Sequence, residues 1–147
     1  MAKSFREALI GAWKLVDYYI EDTNNPREKY YPLGKDVTGF IMYTPDGYMS
    51  AQMMAAGRPP YASGRLHTGT QEEMAQAAKG YMAYSGQYEV DESTNTCYHH
   101  MQVSMNPTWE GQTQKRFVKL ENDTITITNE NNKAVLVWKR AEDHSNR

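Results

Sequence analysis

The sequence contains one cysteine, Cys97, in 147 residues. A single thiol cannot form an internal disulfide, and it cannot build a metal site alone. The N-terminal stretch "MAKSFREALIGAW" also lacks the apolar core and the small-residue cleavage site of a secretory signal. We therefore expect a cytoplasmic protein in a reducing environment, in which Cys97 is a small hydrophobic residue within a strand.

Excess charge of one sign and long apolar runs are missing as well. Lysine and arginine number 16 against 18 aspartate and glutamate, for a formal net charge of -2, so there is no basic field to attract nucleic acid or an anionic membrane. No apolar run reaches the roughly 20 residues that span a bilayer. The sequence has no glycine-rich phosphate loop and no nucleophile elbow. We therefore expect no nucleic acid, no membrane and no cofactor as a partner.

Tyrosine and methionine, by contrast, are frequent: 11 Tyr and 9 Met accompany only 3 Phe. Both residue types offer adaptable contact area with polar or polarisable atoms, which suits a cavity for an organic ligand. The alternative, which the composition leaves open, is that they are half-buried strand residues. With 39% hydrophobic and 23% charged residues, the composition is that of a globular protein, and we expect a single domain over residues 1–147.

Two helices are predicted by capping boxes, in which Ser or Thr is followed three residues later by Glu. The box Ser4–Glu7 predicts a short helix over residues 5–10, and the box Thr70–Glu73 predicts a helix over residues 71 to about 84. The second helix has an apolar stripe that we interpret as its packing face, formed by Met74, Ala77, Ala78, Tyr81 and Met82.

Most of the other apolar segments alternate as strands do and are separated by short turns. They are "AWKLVDYYIED", "QYEVDE", "TCYHHMQVSM", "QTQKRFVKLE", "TITITN" and "AVLVWKRAE", in addition to one hairpin. Antiparallel strands joined in sequence predict a meander, and about eight strands remove their exposed edges most simply by closing into a barrel. The expected fold is therefore all-β, a closed antiparallel meander barrel of about eight strands with a short N-terminal helix and one interior helix. A barrel of this size is filled by side chains or holds one small molecule.

The hairpin is built on the turn Thr44-Pro45-Asp46-Gly47, in which proline presets φ and glycine accepts a positive φ. We predict strands over 39–43 and 48–54, with Tyr43 paired with Tyr48. This register gives one face, which we interpret as inward, composed of Phe40, Met42, Met49, Ala51 and Met53. The other face would suit a polar pocket and stays as the alternative; it comprises Ile41, Tyr43, Tyr48, Ser50 and Gln52.

Several blocks of the sequence resemble the lipocalin-like domain family of small bacterial and fungal proteins. They are "LIGAWKLVDY", "YPLGKDVTGFIMYTPDGYMSAQM", "YSGQYEVDE", "YHHMQVSMNPTWEGQTQKRFVKLE" and "LVWKRAE", which together run from about residue 9 to 141. The resemblance implies a calycin-type barrel around a small ligand. It also implies structural roles for Trp13, which closes one end of the barrel, and for Arg140, which lies over the indole as a cation–π partner. The signal, disulfide pair and Thr-Asp-Tyr block of the secreted lipocalins are missing from this sequence.

Strand alternation turns a histidine and an arginine toward the barrel interior. One strand has an inward face of Cys97, His99, Met101, Val103 and Met105. Arg116 and Gln114 face inward on the next strand, and Tyr88 does so on the preceding one. Because an unpaired arginine in a core is destabilising by several kcal/mol, Arg116 requires a carboxylate, for which Asp17 is the main candidate, or a ligand oxygen. The alternative is a structural polar network in which tyrosine hydroxyls, Gln114 and water satisfy both Arg116 and His99.

Two hypotheses of function follow. In the first, a cofactor-free enzyme encloses an apolar, oxygenated metabolite of polyketide or terpenoid type and catalyses an isomerisation, a cyclisation or a related proton transfer. His99 would be the acid or base, and Arg116 with Tyr88 or Tyr43 would stabilise an oxyanion. The expected ligand-binding side chains are Phe40, Met42, Tyr43, Met49, Met53, Tyr81, Met101, Trp109 and Gln114. In the second hypothesis, the same cavity belongs to a non-catalytic carrier of a small hydrophobic ligand.

Metal binding is not expected, because the adjacent His99 and His100 point to opposite faces of a strand and cannot chelate one ion together. Trp109, in the turn "NPTWEG", is expected either at the barrel rim or over the end of the core. A homodimer is expected from base rates only.

Overall fold

The computed structural model describes residues 3–22, 24–25, 28–131 and 133–146. In that part of the chain there are two α-helices, α1 (Phe5–Leu9) and α2 (Gln71–Lys79), and a 3-10 helix at Pro107–Trp109. The strands are β1 (Gly11–Glu21), β2 (Lys29–Tyr30), β3 (Val37–Tyr43), β4 (Tyr48–Ala55), β5 (Tyr81–Asp91), β6 (Thr96–His100), β7 (Val103–Ser104), β8 (Thr113–Glu121), β9 (Thr124–Thr128) and β10 (Ala134–Arg140).

Eight of these strands form a closed antiparallel barrel. They lie in the order β10-β9-β8-β6-β5-β4-β3-β1, and β1 pairs in turn with β10, from Trp13 opposite Arg140 to Ile20 opposite Ala134. The two remaining short strands, β2 and β7, pair with β1 and β5. Closure gives every barrel strand two hydrogen-bonded neighbours, so no edge is left open. The prediction of an eight-stranded meander barrel with two helices is confirmed.

Helix α1 closes one end of the barrel. Its buried Leu9 accepts a hydrogen bond at its carbonyl oxygen from the indole Nε1 of Trp13, at 2.9 Å. The Arg140 guanidinium lies 3.7 Å from the Trp13 ring centroid, and it donates to the carbonyl oxygens of Ile10 (2.9 Å) and Ala8 (2.7 Å). These contacts join the first and last barrel strands to the helix and leave this end without an entrance for a ligand.

Among the connecting segments at the opposite end are those over residues 31–36, 56–80 and 101–112. Leu33, in the first of them, is buried with the core. Helix α2, in the second, buries none of its residues. This end is therefore covered by loops and by one helix that buries none of its residues.

The predicted register of the β3–β4 hairpin is wrong by one residue. Tyr43 pairs with Met49 instead of Tyr48. The cause is Gly47, whose φ of 98° adds a bulge after the turn, with the Thr44 N–H donating to the Tyr48 carbonyl oxygen. The buried face consists of Ile41, Tyr43, Met49, Ala51 and Met53.

Phe40 and Met42, which we predicted to face the ligand inside the barrel, point outward as a consequence. They are 42% and 47% exposed. A one-residue slip in register exchanges the two faces of a strand, because side chains alternate with a period of two. Both residues are therefore removed from the set that can line the barrel interior.

A second bulge changes the inward face of β1. Leu15 pairs with Trp138 and Asp17 pairs with Val137, so Val16 has no partner in the ladder and is 55% exposed. Beyond Val16, the alternation of inward and outward side chains along β1 is therefore shifted by one residue.

This shift makes Tyr18 the inward tyrosine, whereas unbroken alternation from Trp13 and Leu15 would have placed Tyr19 there. Tyr18 is only 7% exposed. Tyr19 instead contacts Tyr31, at 6.2 Å between ring centroids, and Lys29.

Helix α2 is shorter than predicted. It ends at Lys79 with Gly80 as its C-cap, and residues 81–84 begin β5. The stripe predicted as a packing face is consequently divided between a helix with no buried residue and a strand. Pairing with β4, from Met54 opposite Tyr81 onward, overrides the local helical pattern.

Val103 and Met105 were also predicted to face inward, and they point outward with exposures of 64% and 48%. Regular pairing of β6 ends at His100, and β7 continues instead along β5, with Val103 opposite Ser85. The interruption between the two strands exchanges the inward and outward faces beyond Met101, which is still buried.

Candidate functional site

The most enclosed polar side chain is His99 on β6, which is fully buried. Its Nε2 lies 2.8 Å from the hydroxyl of Tyr43 on β3, and its Nδ1 lies 3.1 Å from the hydroxyl of Tyr84 on β5. A neutral imidazole has one donor nitrogen and one acceptor nitrogen, so both bonds can be satisfied at once. Inward alternation on three strands that are distant in sequence brings these side chains together.

This group of side chains is held uncharged. Burial first, and then the positive charge of Arg116 and the neighbouring His100, lowers the pKa of His99 to about 3. Burial raises the pKa of the Tyr84 hydroxyl, and it raises the pKa of the Tyr43 hydroxyl well above its usual value. At neutral pH the imidazole is therefore unprotonated, and both hydroxyls keep their protons.

Arg116 on β8 is the cation of the site and is 9% exposed. Its Nη1 lies 3.5 Å from Oε1 of Gln114, and its positive charge opposes the rise that burial causes in the pKa of the nearby Tyr84 hydroxyl. Within the described ranges it forms no ion pair, so Asp17, the carboxylate that we expected as its partner, does not neutralise it. A largely buried guanidinium thus carries its full charge beside three neutral side chains.

Tyr88, which we predicted as a third catalytic group, is buried at 3% exposure, but its hydroxyl points away from His99. That hydroxyl donates to the Thr44 carbonyl oxygen at 2.7 Å, and the Arg6 guanidinium lies 5.2 Å from its ring centroid. Its ring meets Tyr43 edge-on, at 5.0 Å between centroids. The Tyr88 hydroxyl is thus engaged with the hairpin turn near α1.

Sequence reasoning missed Tyr84, the residue that contacts His99 and lies near Arg116. The predicted helix ended at about this position, so its side chain was not assigned to a strand face. Two-residue spacing could have found it, because Tyr84, Gly86 and Tyr88 are all buried positions of β5.

Trp109 lies at the end opposite α1, with its ring edge-on to Tyr84 at 5.8 Å between centroids. A cleft of about 310 Å³ opens beside it, lined by Ala78, Tyr81, Met82, Met105, Asn106, Pro107 and Trp109. Tyr84 therefore contacts both a residue that lines this cleft and the buried His99. Trp109 is also partly buried and packs against the hydrophobic core.

The remaining predicted ligand-binding side chains divide between the core and the outer surface. Met49, Met53 and Met101 are buried in the barrel core. Phe40 and Met42 line a different cleft, of about 260 Å³, on the outside of β3 and β4. Five clefts of about 260 to 520 Å³ open on the described part of the molecule, and neither His99 nor Arg116 lines any of these five.

Cys97 is fully buried, and burial raises the pKa of its thiol to about 12. A thiol with such a pKa is not a nucleophile at neutral pH.

In the described ranges, no three His, Cys, Asp or Glu side chains are grouped as a metal site requires. The helices of the described ranges are too short and too polar to cross a membrane.

Comparison with known proteins gives one family and one curated relative. A family model described as a lipocalin-like domain matches residues 10–141. The 4'-hydroxy-3'-methoxypropiophenone carrier protein ppsC of Aspergillus oryzae (strain ATCC 42149 / RIB 40) is 36% identical over 86 residues, which cover 54% of this chain and 78% of the relative.

Solved structures are similar only at low identity. A DUF4847 family protein from Bacteroides vulgatus ATCC 8482 has a TM-score of 0.47 at 10% identity, over 92% of this chain and 95% of its own. The wild-type fluorescent protein UnaG has a TM-score of 0.37 at 12% identity, over 92% and 98% of the two chains. Neither likeness bears on function.

Proposed function

We propose that this chain, which belongs to the lipocalin-like domain family, is a carrier for a small, largely apolar aromatic molecule with an acidic or carbonyl oxygen. The observation that carries this proposal is the largely buried Arg116 guanidinium, which has no carboxylate partner within the described ranges. A ligand oxygen is the group that this cation lacks.

The energetic argument rests on desolvation. Removing a guanidinium from water costs several kcal/mol unless an anion or strong acceptor compensates. The groups around Arg116 are neutral, namely the amide oxygen of Gln114, with which it is hydrogen-bonded, and the nearby Tyr84 hydroxyl. A phenolate, an enolate or a polarised carbonyl would form a charge-assisted hydrogen bond in their place.

Access is through the cleft beside Trp109. Its volume of about 310 Å³ is at the lower end of the range for small-molecule sites, and its wall includes the side chains of Tyr81 and Met82. Movement of the Tyr84 ring, which contacts Trp109 in the cleft and lies near Arg116, would join the cleft to Arg116. We propose Tyr81 and Trp109 as contacts for the aromatic body of the ligand and Arg116 with Tyr84 as contacts for its oxygen.

The curated relative supports this ligand class. Its name gives a propiophenone with a hydroxyl and a methoxy group, which is an aromatic ketone with a phenolic oxygen. Such a molecule combines an apolar ring with oxygen atoms that a guanidinium can bind. We propose the class of phenolic aryl ketones for this chain and leave the substituents open.

Binding without catalysis is preferred over the acid–base chemistry that the sequence suggested for His99, Arg116 and Tyr88. A histidine whose pKa is lowered to about 3 is a weak base at neutral pH. Both of its nitrogens are already hydrogen-bonded, and the Tyr88 hydroxyl is engaged with a backbone carbonyl. These side chains are better suited to fix Tyr43 and Tyr84 in place than to move protons of a ligand.

Isothermal titration calorimetry with 4'-hydroxy-3'-methoxypropiophenone as the probe tests the proposal. Arg116→Met should weaken binding by about 10- to 100-fold, the range for losing one hydrogen bond to a charged group. Lys115→Met is the matched control, because Lys115 is the preceding residue on the same strand and belongs to the opposite face, and it should bind as the wild type does. The probe should be recovered unchanged after incubation.

Two outcomes would contradict the proposal. One is equal affinity of the wild type and Arg116→Met for the probe. The other is a wild type that binds neither this probe nor other phenols and aryl ketones. Recovery of an isomerised or cyclised product would restore the catalytic alternative, and His99→Gln would then show whether the imidazole takes part.

A further inference from the structure

We infer that the outer wall, defined as the outward faces of β3, β4 and residues 81–87 of β5 together with Val103 and Met105, binds a second copy of this chain. Its large exposed hydrophobic side chains are Phe40, Met42, Tyr48, Met54, Val103 and Met105, which are 39% to 64% exposed. The strands that carry them are consecutive neighbours in the sheet, so these side chains form one continuous face. The inference does not depend on Arg116 or Tyr84, although the wall shares Tyr81 and Met105 with the cleft beside Trp109.

The outer wall has no formal charge within these bounds, and the exposed Glu89 continues the outward face of β5 beyond its rim. Its outward positions are Thr38, Phe40, Met42, Tyr48, Ser50, Gln52, Met54, Tyr81, Ala83, Ser85 and Gln87 on the three long strands. The chain as a whole has 23% charged residues, and the outward face of β8 includes Lys115 and Lys119. Arg58 borders the wall, with its guanidinium 4.9 Å from the Tyr81 ring centroid. Depletion of charge at the centre with polar groups at the rim is the composition of a protein interface.

Neutrality also indicates which partner fits. A charged patch facing its own copy would be repelled, whereas an uncharged apolar face is complementary to itself. Two copies related by a two-fold axis would place the same wall on both sides, which is the usual geometry of a homodimer. A membrane surface or a highly charged partner would find no matching charge on this wall.

Six polar side chains of the wall are already paired with one another, which reduces the cost of burying them. The pairs are Ser50 Oγ with Ser85 Oγ (2.6 Å), the Tyr81 hydroxyl with Gln52 Oε1, and Gln87 Nε2 with the Tyr48 hydroxyl (3.4 Å). A buried polar group that keeps its hydrogen bond avoids the desolvation penalty of about 1–3 kcal/mol. A second copy can therefore cover the wall without leaving these groups unsatisfied.

Area and shape are sufficient for a dimer. Six half-exposed side chains of roughly 200 Å² each leave about 600 Å² of apolar surface, and the neutral polar neighbours bring the wall close to the roughly 800 Å² per partner of a stable interface. Two clefts, of about 260 and 450 Å³, give the wall relief into which a partner's side chains can fit. Both clefts include Met42 and Ser50, which places Met42 at the centre of the wall.

Opposite charges at Met42 test the inference. Sedimentation velocity of the wild type should give twice the chain mass of 16.9 kDa. Met42→Glu and Met42→Lys should each raise the dimer dissociation constant by about 100-fold or more, because like charges then meet across the two-fold axis. An equimolar mixture of the two variants should recover the dimer. Val16→Glu is the matched control, since Val16 is equally exposed on β1, outside the wall, and this variant should stay dimeric.

Cross-linking provides a second measurement with a smaller substitution. Met42→Cys should form a disulfide-linked dimer under mild oxidation, whereas Val16→Cys should not. The native thiol, Cys97, is fully buried and does not interfere.

A wild type that is monomeric at all accessible concentrations would overturn the inference, whether or not it floats with phosphatidylcholine vesicles or binds another protein. A dimer that persists in Met42→Glu, or that is lost equally in Val16→Glu, would also overturn it. Failure of this test leaves the ligand proposal untouched, because Arg116 lies inside the barrel.

Discussion

Acidification should destabilise this protein through one buried imidazole. His99 has an ordinary pKa of 6.5 in the unfolded chain and a pKa lowered to about 3 in the fold, chiefly by burial. Below pH 6.5 the unfolded chain therefore binds a proton that the folded chain does not accept. The free energy of unfolding is at its full value above pH 6.5 and falls as the pH is lowered from there toward about 3.

The size of the effect follows from the same two pKa values. Each pH unit below 6.5 removes roughly 1.4 kcal/mol, so the change from about pH 7.5 to about pH 5 should cost about 2 kcal/mol. Carboxylates contribute little over this interval, because their pKa values lie near 4. A loss of this size is a large fraction of the 5–15 kcal/mol that typically stabilises a domain.

Urea unfolding at the two pH values measures this difference, and His99→Gln should abolish most of it. Glutamine retains a donor and an acceptor for the hydroxyls of Tyr43 and Tyr84 but does not titrate. His100→Gln is the matched control, since His100 is the next residue on β6 and is partly exposed, and it should keep the wild-type dependence on pH.

Two results would refute the reasoning. One is a wild type with equal stability at the two pH values. The other is a His99→Gln variant that loses as much stability on acidification as the wild type does. Nuclear magnetic resonance of the folded protein provides an independent reading, because the His99 ring signals should not titrate between those two values.

Two further predictions concern the framework. Arg140→Ala should lower the free energy of unfolding by about 3 kcal/mol, because it removes a cation–π contact with Trp13 and two charge-assisted hydrogen bonds. Urea unfolding measures this loss. Arg140→Lys keeps the charge without the guanidinium fork, so its stability should lie between those of the wild type and Arg140→Ala. Gly86→Ala should destabilise by more than about 3 kcal/mol, since a Cβ there would lie 1.8 Å from the His100 carbonyl oxygen; a stability within about 1 kcal/mol of the wild type would contradict this.

The sequence was sufficient for the barrel and for the orientation of two key side chains. Alternation over β6 and β8 predicted that His99 and Arg116 point inward, and both are buried. It was insufficient for their partners. Tyr43 and Tyr84 lie 56 and 15 residues from His99 along the chain, so only the pairing of β3, β4, β5 and β6 brings them to the two ring nitrogens.

The sequence by itself determined the features that depend on residues close together in the chain. These are the capping boxes that start both helices, the hairpin turn, and the series of alternating strands from which a barrel was predicted. Tertiary structure alone decided the register. The bulges at Gly47 and Val16 each insert one residue, and one residue exchanges the inside and the outside of a strand. The face of a strand that becomes buried depends on its register with the neighbouring strand in the sheet. That register is set when the whole barrel closes, and the residues next to each position along the chain do not determine it.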